Sequence, residues 1–441
     1  MSGAADVGAD VIVVGAGSSG SVVAERLSRD PDRRVVWLEA GPGSPGPSAL
    51  RLDRLPIGPG SDRVARYRSR QGFDLPRGRG VGGSSVVNGG YLLRWHRSDF
   101  TGWSEEIWPM AAIADTYDSL DGGAQGGGSM HVSAFADDEI GAYAEAFESH
   151  WGSKGLARVE APWTDLGINR VRSNRDGPLR RSAAHWMADD GDRPGLRLLT
   201  GAAATELVVR GGRVTGVAVG DDVFAADEVI VCAGTLGTAE LLIRSPGVQI
   251  QSLDVWEHRE VLVRFGPASL PVAKPPALLQ SVVHTSDGVE LRCYGGDFAD
   301  FIDGLLVTGP AFGAALMRPH RAGSLSWDAT HGLQVDLGEL DGADTRTLGV
   351  WAERLRAMLE GDHFSAYVEK GSAQIDPVLR TSQHAWGTLP MGVATDWAGA
   401  VYGVDGLRVI DASILPTAGS SGPHATVMMV ATRIMDLITG R

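Results

Sequence analysis

The stretch Val11-Ile12-Val13-Val14-Gly15-Ala16-Gly17-Ser18-Ser19-Gly20 decides the fold of this chain, because a β-branched run enters a Gly-x-Gly-x-x-Gly turn. Gly15 permits a tight strand-to-helix turn, Gly17 lets a pyrophosphate approach bare backbone, and Gly20 lets the helix pack closely on the strand. The free N–H groups at the start of that helix would then face the phosphates. The pattern predicts a dinucleotide-binding unit, with an ordinary glycine-rich strand-to-helix turn as the alternative.

The second strand of this unit carries the acid that such a site needs. Val35 to Leu38 form an apolar run that ends at Glu39 and Ala40, and Glu39 lies nineteen residues past Gly20. A carboxylate there can accept hydrogen bonds from both ribose hydroxyls and would repel a 2′-phosphate. Strand, turn, helix, strand and acid in this order favour dinucleotide binding, but they leave nicotinamide and flavin cofactors both open.

A second glycine cluster follows in the run Arg77-Gly78-Arg79-Gly80-Val81-Gly82-Gly83-Ser84-Ser85-Val86-Val87-Asn88-Gly89-Gly90. Its glycine content is too high for an ordinary core element, because each glycine costs backbone entropy unless a positive φ or a close approach requires it. On its own the run could equally be a flexible surface loop. Its meaning therefore depends on what the rest of the chain contains.

Three further segments give the second cluster a context. Leu407 to Pro416 is typical of a strand that delivers Asp411 to a turn, and a glycine–serine loop and an apolar helix follow it. His384 to Gly392 and Glu228 to Thr238 are the other two segments. In order and spacing, these segments and the glycine clusters resemble the glucose–methanol–choline (GMC) family of FAD-dependent oxidoreductases, and the cofactor that this resemblance implies is FAD.

The resemblance implies an α/β fold, with a Rossmann-like FAD-binding domain and an α+β substrate domain built on an antiparallel sheet. The FAD-binding domain would be discontinuous, at residues 1–105, 195–250 and 385–441. The substrate domain would take residues 106–194 and 251–384.

Local patterns add detail to this picture. Short strands are expected at 196–199, 204–210 and 214–219, separated by glycine turns, as a meander of the kind that covers the adenine in flavin folds. The glycine-rich run 121–129 is expected to be a flexible hinge or a shortened insertion.

Two of the eleven histidines occupy positions that the resemblance marks as catalytic. A base must accept the alcohol O–H proton while hydride leaves the carbon, and imidazole suits that step because its pKa of about 6.5 lies near operating pH. In the family, the positions of His384 and His424 hold the paired residues over the flavin ring. We assign His384 as the proton acceptor and His424 as the partner that hydrogen-bonds the substrate oxygen, with the reverse assignment left open.

The resemblance also assigns the cofactor contacts. Asn88 and Gly89 would lie beside the N5 edge of the flavin, whereas Arg77 could equally be a surface charge. Val87 stands where members with a covalent flavin carry histidine, so FAD is expected to be non-covalent. The full predicted set is Gly15, Gly17, Ser18, Ser19, Gly20, Glu39, Ala40, Arg77, Gly82, Gly83, Ser84, Asn88, Gly89, Gly90, Val208 beside the adenine, Ala233, Gly234, Asp411 and Ala412 at the ribityl and pyrophosphate, His424, Ala425 and Thr426.

Softer motifs point to one branch of the family. Leu55-Pro56-Ile57-Gly58 and Asn88-Gly89-Gly90-Tyr91 resemble the actinobacterial branch encoded with the mycofactocin system. That branch implies a dehydrogenase that oxidises reduced mycofactocin, a peptide-derived redox cofactor, and passes electrons to a quinone or the respiratory chain. An alcohol oxidase that makes hydrogen peroxide is the alternative. A non-catalytic or lyase-like flavoprotein is a third class, against which His384 and His424 argue.

Composition excludes several partners. Forty basic and 54 acidic residues give a net charge of −14, which argues against nucleic acid or an anionic membrane surface. Cys232 and Cys293 offer neither a disulfide framework nor metal-ligand spacing, so we expect no metal and a cytoplasmic location. The first ten residues do not resemble a signal peptide, and no apolar run is long enough for a transmembrane segment. Peripheral docking at the inner face of the plasma membrane stays open.

Overall fold

A computed structural model of the chain describes residues 8–186, 192–250 and 252–440. The predicted domain limits at residues 1, 251 and 441 lie outside these ranges, and the division into two domains stays a prediction. Within the described ranges, no helix is both long enough and apolar enough to span a lipid bilayer.

The described residues form a mixture of strands and helices. The strands are β1 (Ala9–Val14), β2 (Val35–Glu39), β3 (Val64–Arg68), β4 (Asp74–Gly78), β5 (Val132–Ala134), β6 (Gly167–Arg170), β7 (Arg172–Asp176), β8 (Leu179–Arg180), β9 (Leu196–Thr200), β10 (Ala204–Arg210), β11 (Arg213–Val219), β12 (Asp222–Val231), β13 (Ser252–Val255), β14 (Arg259–Arg264), β15 (Leu279–His284), β16 (Val289–Tyr294), β17 (Ala311–Leu316), β18 (Gly323–Asp328), β19 (Gly332–Asp336), β20 (Gln374–Ile375), β21 (Arg380–Thr381) and β22 (Leu407–Val409). The α-helices are α1 (Ser18–Leu27), α2 (Ser84–Val87), α3 (Met110–Asp121), α4 (Ala142–Ser153), α5 (Gly234–Arg244), α6 (Phe298–Phe301), α7 (Gly342–Leu359) and α8 (His424–Thr439).

One sheet carries the predicted nucleotide-binding unit. Its parallel part has the strand order β22-β12-β1-β2-β9. β1 is almost entirely buried, as its unbroken apolar run requires, because elements cover both faces of a parallel sheet. α1 and α8 pack against each other and bury their apolar faces in the same core. The Rossmann-like part of the predicted fold is confirmed.

The first half of β12 leaves the parallel sheet and joins the antiparallel meander β10-β11-β12. Gly211 and Gly212, both with positive φ, make the tight turn between β10 and β11. The strand expected at 196–199 exists as β9, but its predicted place in this meander is wrong. β9 instead pairs in parallel with β2, at the opposite edge of the sheet. Local sequence indicated the strand, whereas its neighbour depends on where the chain re-enters the sheet.

A second sheet confirms the antiparallel part of the prediction. Its strand order is β20-β14-β17-β16-β15-β6, with β21 also paired to β14, and every pairing is antiparallel. α4 and α7 cover one face of it and share a hydrophobic core with it. Asp341 caps the N-terminus of α7, because its carboxylate accepts hydrogen bonds from the backbone N–H groups of Ala343 and Asp344, each at 2.8 Å.

The glycine-rich run 121–129 is not the predicted flexible hinge, because its backbone is tightly packed. A Cβ on Gly122, which has a φ of +73°, would lie 2.0 Å from the carbonyl oxygen of Gly126. The buried Asp121 binds Nε and Nη2 of the buried Arg94 at 2.8 and 2.5 Å, and Nη1 of Arg172 lies 3.5 Å from it. The glycines permit the positive φ values of a folded turn rather than freedom of movement.

Replacement of Asp121 should therefore destabilise the protein strongly. We expect Asp121→Asn to lower the free energy of unfolding by about 3–5 kcal/mol, because it removes the buried anion that two buried guanidinium groups contact. Asp118 binds the same Arg94 at 2.6 Å, but its side chain is 54% exposed, so Asp118→Asn should cost only about 0–1 kcal/mol. Chemical denaturation followed by tryptophan fluorescence measures both. Equal losses in the two variants would contradict the assignment.

Candidate active site

The first glycine turn has no room for side chains at two positions. Gly15 has a φ of +100°, and a Cβ there would lie 2.5 Å from the carbonyl oxygen of Cys232. A Cβ on Gly20 would lie 1.9 Å from the carbonyl oxygen of Gly15. Gly17 differs, because a Cβ there would meet only Gly83, at 3.9 Å, so its backbone stays approachable. These are the conditions that the close approach of a pyrophosphate needs.

The second glycine cluster packs directly on the first. The carbonyl oxygen of Ala16 accepts a hydrogen bond from the N–H of Gly82 at 2.7 Å. Gly83 has a φ of +51°, and a Cβ there would lie 2.6 Å from the Cα of Gly17. Residues 80–83 are buried, so the alternative of a flexible surface loop is wrong. The two turns together form one continuous strip of backbone.

Glu39 joins the two turns through its carboxylate. It accepts backbone hydrogen bonds from Ala16 at 2.8 Å, Gly41 at 2.7 Å and Gly80 at 2.9 Å, and it is only 6% exposed. A carboxylate offers about four acceptor sites, so these three bonds leave room for about one more. Sequence reasoning gave Glu39 a contact with ribose alone, whereas the structure adds the task of holding the turns together.

Two helix N-termini are open to an anionic or electron-rich ligand. α1 begins at Ser18 after Gly17 and α8 begins at His424 after Pro423, and neither helix has a side-chain cap or an acid in its first turn. Their first N–H groups and positive dipole ends therefore remain to be satisfied. These unsatisfied N–H groups and the bare backbone at Gly17 fit the binding of FAD. The first turns of α1 and α8, Gly17, Gly83 and Glu39 are the groups that would hold it.

Asp411 has a structural contact that sequence analysis missed. Its buried carboxylate accepts hydrogen bonds from the N–H of Gly234 at 2.9 Å, the hydroxyl of Thr238 at 2.6 Å and the N–H of Ser413 at 2.8 Å. Burial raises the pKa of this carboxyl, although these bonds oppose the shift. The side chain thus ties the start of α5 to the turn after β22. Its predicted contact with the ribityl chain and pyrophosphate would fall to the backbone of Asp411 and Ala412.

His384 lies beside the glycine turn that leads into His424. A Cβ on Gly422 would lie 3.4 Å from Cε1 of His384, and Gly422 is two residues before His424. Nδ1 of His424 lies 3.3 Å from Nδ2 of Asn88, whose Oδ1 accepts the N–H of Gly90 at 3.0 Å. Three segments that are far apart in sequence thus meet at one place.

Burial lowers the pKa of both histidines. The pKa of His424 falls to about 4, and the positive charge of Arg180 also lowers it. The pKa of His384 falls well below 6.5, with further lowering by His258 and Arg292. Both imidazoles are therefore uncharged at pH 7, and an uncharged imidazole can accept a proton on one nitrogen and donate one from the other.

Glu257 and His258, in the segment before β14, contact His384. No sequence motif indicated these two residues. Glu257 accepts the backbone N–H of His384 at 2.7 Å, and Nη2 of Arg77 lies 3.5 Å from the same carboxylate. Arg77 also donates to Oε1 of Gln383. Nδ1 of His258 lies 3.0 Å from Nδ1 of His384. Arg77 therefore contacts protein groups that position His384, and its predicted contact with FAD stays a prediction.

The remaining predicted residues fall into three groups. Ser18, Ser19, Ala40, Gly82 and Ser84 lie in or beside the two glycine turns; Gly89 and Gly90 follow Asn88; and Ala233, Ala425 and Thr426 lie at the starts of α5 and α8. Val208 is apart from these, in β10 at the edge of the sheet, where its carbonyl oxygen accepts the hydroxyl of Thr215 at 3.3 Å. Its contact with adenine stays a prediction.

Comparisons with known proteins agree with this arrangement. Family models described as GMC oxidoreductase match residues 9–252 and 339–431. An uncharacterised GMC-type oxidoreductase of Rhodococcus erythropolis is 30% identical over 491 residues, covering 98% of each chain. One from Mycobacterium tuberculosis is 27% identical over 536 residues, covering 98% of this chain and 99% of the relative. The crystal structure of a pyridoxine 4-oxidase from Mesorbium loti superposes with a TM-score of 0.85 at 22% identity, covering 98% of this chain and 99% of that one.

Glu39 provides a test of the nucleotide site. Glu39→Gln keeps the size of the side chain but places an amide N–H₂ among backbone N–H groups. We expect the free energy of FAD binding to become weaker by about 1–3 kcal/mol, the usual loss for a hydrogen bond to a charged group. Glu145→Gln, at an exposed position of α4, is the matched control. Flavin fluorescence after ultrafiltration measures retention, and retention equal to the control would reduce Glu39 to a strand-end charge.

Proposed function

The chain belongs to the GMC oxidoreductase family, and we propose that it is an FAD-dependent dehydrogenase that removes hydride from a CH–OH donor. Bound FAD would supply the hydride acceptor. Two uncharged imidazoles carry this proposal, His384 beside Gly422 and His424 two residues after it, because one can take the alcohol proton while the other donates to the same oxygen.

Hydrogen bonding around His424 supports its assignment as the donor. Oδ1 of Asn88 already accepts the N–H of Gly90, so the Nδ2 amide group of Asn88 faces Nδ1 of His424. An amide N–H can only donate, so Nδ1 of His424 is the acceptor and the proton of the neutral ring lies on Nε2. That Nε2 is buried and has no hydrogen-bond partner among the residues that the structure describes. It is therefore ready to donate to a substrate oxygen, which leaves His384 as the proton acceptor.

Removal of His384 should slow the chemistry while preserving the site. We expect His384→Ala to retain FAD and to reduce it about 10²–10⁴-fold more slowly in anaerobic stopped flow, the usual contribution of a general base. His424→Asn should be milder, because an asparagine amide can still donate to the substrate oxygen. A larger loss from His424→Asn would favour the reverse assignment. Because burial lowers the pKa of His384, the wild-type rate should not rise between pH 7 and 8.

We further propose that the donor is reduced mycofactocin and that the acceptor is a quinone or the respiratory chain. The motifs at Leu55–Gly58 and Asn88–Tyr91 support this branch, and so does the similarity to proteins of Rhodococcus and Mycobacterium. Such an acceptor would place the protein in the cytoplasm at the inner face of the plasma membrane. The second candidate is an alcohol oxidase, which the match to a structure named pyridoxine 4-oxidase favours.

We propose that FAD is bound without a covalent link. Val87, immediately before Asn88, is buried in α2 among apolar neighbours and has no imidazole to bond to the flavin. Denaturation with acid should therefore release all the FAD into the supernatant. Yellow colour that stays with the polypeptide on a denaturing gel would contradict this. The same treatment of a GMC enzyme with a covalent flavin serves as the control.

The acceptor can be tested by anaerobic bleaching of the flavin followed by re-oxidation. We expect slow reduction by ethanol and fast reduction by the large donor, because a small alcohol gains little orientation energy in a site shaped for a bulky molecule. Re-oxidation should be fast with a quinone or dye, and little hydrogen peroxide should form in air. Rapid ethanol oxidation with stoichiometric peroxide would overturn this proposal in favour of the oxidase.

A further inference from the structure

His258 lies directly opposite His384 on a neighbouring segment. Trp256 and Trp386 exchange two backbone hydrogen bonds, both at 3.0 Å, and the N–H of Ser382 donates to the carbonyl oxygen of His258 at 2.9 Å. The segment 256–258 is thus held against 382–386 as an antiparallel pair. The backbone therefore fixes the relative position of the two imidazoles, which are in edge-to-face contact with ring centroids 5.2 Å apart.

An irregularity in the chain directs His384 towards His258. β14 and β21 pair Arg259 with Thr381, and the next bridge pairs Trp256 with Trp386. Between these two pairings, the stretch of chain that contains His384 is longer than the stretch that contains His258. This bulge contains Gln383, which has a φ of +65°, an uncommon value for a residue with a side chain. Such a conformation persists only where surrounding contacts impose it. Arg77 supplies one of these contacts by donating to Gln383.

The two rings meet nitrogen to nitrogen. Their Nδ1 atoms are 3.0 Å apart, so one must carry a hydrogen and the other must offer a lone pair. If His258 were the donor, His384 would carry its proton on Nε2 and could not act as a base there. If His384 is the donor, its Nε2 is free. The proposed role of His384 decides between them, because a base that accepts the alcohol proton needs a lone pair on Nε2. The shared hydrogen then lies on Nδ1 of His384, and Nδ1 of His258 accepts it.

We propose that His258 is a positioning residue that holds His384 in the Nδ1–H tautomer and so leaves Nε2 of His384 ready to accept the alcohol proton. This inference rests on the proposed function of His384. In the step, the O–H bond of the donor breaks and an N–H bond forms at Nε2 of His384, while hydride leaves the same donor for the bound cofactor. The imidazolium then formed keeps its Nδ1–H bonded to the lone pair of His258. A neutral partner orients the base without adding a buried negative charge.

The tautomer can be observed without turnover. In the FAD-loaded enzyme with ¹⁵N-labelled histidine, the His384 signals are assigned by difference against His384→Asn. We expect Nδ1 to carry the proton and Nε2 to be unprotonated. His258→Phe keeps a ring but removes the acceptor, so it should shift His384 towards the Nε2–H form. Flavin reduction should then slow by about tenfold to a hundredfold, which is part of a general base's usual contribution.

Two further variants separate positioning from a general structural effect. In His258→Asn the amide oxygen takes the place of Nδ1 as acceptor, so it should restore both the Nδ1–H signal and most of the rate. His131→Asn is the matched control, because His131 is half exposed and pairs with Asp176 away from the site. A wild-type His384 protonated on Nε2, or a His258→Phe variant with unchanged tautomer and rate, would overturn the inference. If His258→Phe fails to fold, the wild-type signal and His258→Asn still decide.

A failure of the proposed function of His384 would give a different experimental result from a failure of the role of His258. If His384→Ala reduced flavin as fast as the wild type, His384 would not be the base, whatever its tautomer. If His384→Ala is slow but the wild-type ring carries its proton on Nε2, His384 matters and the role given to His258 is wrong.

Discussion

The close approach of two glycine-rich backbones is the constraint on which the nucleotide site depends. Gly83 touches Gly17 where a side chain could not fit, and the carboxylate of Glu39 accepts N–H groups from both turns. A buried carboxylate with three donors is satisfied, so it can join two loops without a cation beside it. The strip of backbone so formed, together with the open N-terminus of α1, is what makes the site suitable for a dinucleotide.

Around His384 and His424, hydrogen bonds between uncharged side chains take the place of charge interactions. His384 and His424 are both uncharged because of burial, and the same residue type can therefore serve as donor or acceptor. Asn88 supplies a donor to one ring and His258 supplies a nitrogen to the other. The direction of the bond to His424 follows from the N–H of Gly90, which bonds to Oδ1 of Asn88. The direction of the bond between His258 and His384 is the one that the proposed role of His384 requires. In the proposed function, two chemically identical side chains thus take opposite roles.

Several expectations failed for related reasons. β9 was predicted correctly as a strand but joined to the wrong neighbour, because pairing depends on where the chain re-enters the sheet. The run 121–129 has the composition of a flexible linker, yet Arg94 and Arg172 bind Asp121 at its start. Glu257 and His258 lie in no recognisable motif, and only the pairing of their segment with 382–386 brings them to His384. In each case the deciding contact joins residues far apart in the chain.

The sequence by itself determined the nucleotide-binding unit, the family resemblance and the two histidines, because each is written in local spacing: glycines where backbones must approach, an acid at a strand end, a histidine before a turn. Only the tertiary structure decided which nitrogen of each histidine faces which partner. Such an assignment depends on hydrogen bonds between segments more than a hundred residues apart, such as Asn88 to His424 and His258 to His384. Local patterns specify which groups are present, but only packing specifies the direction in which they donate and accept.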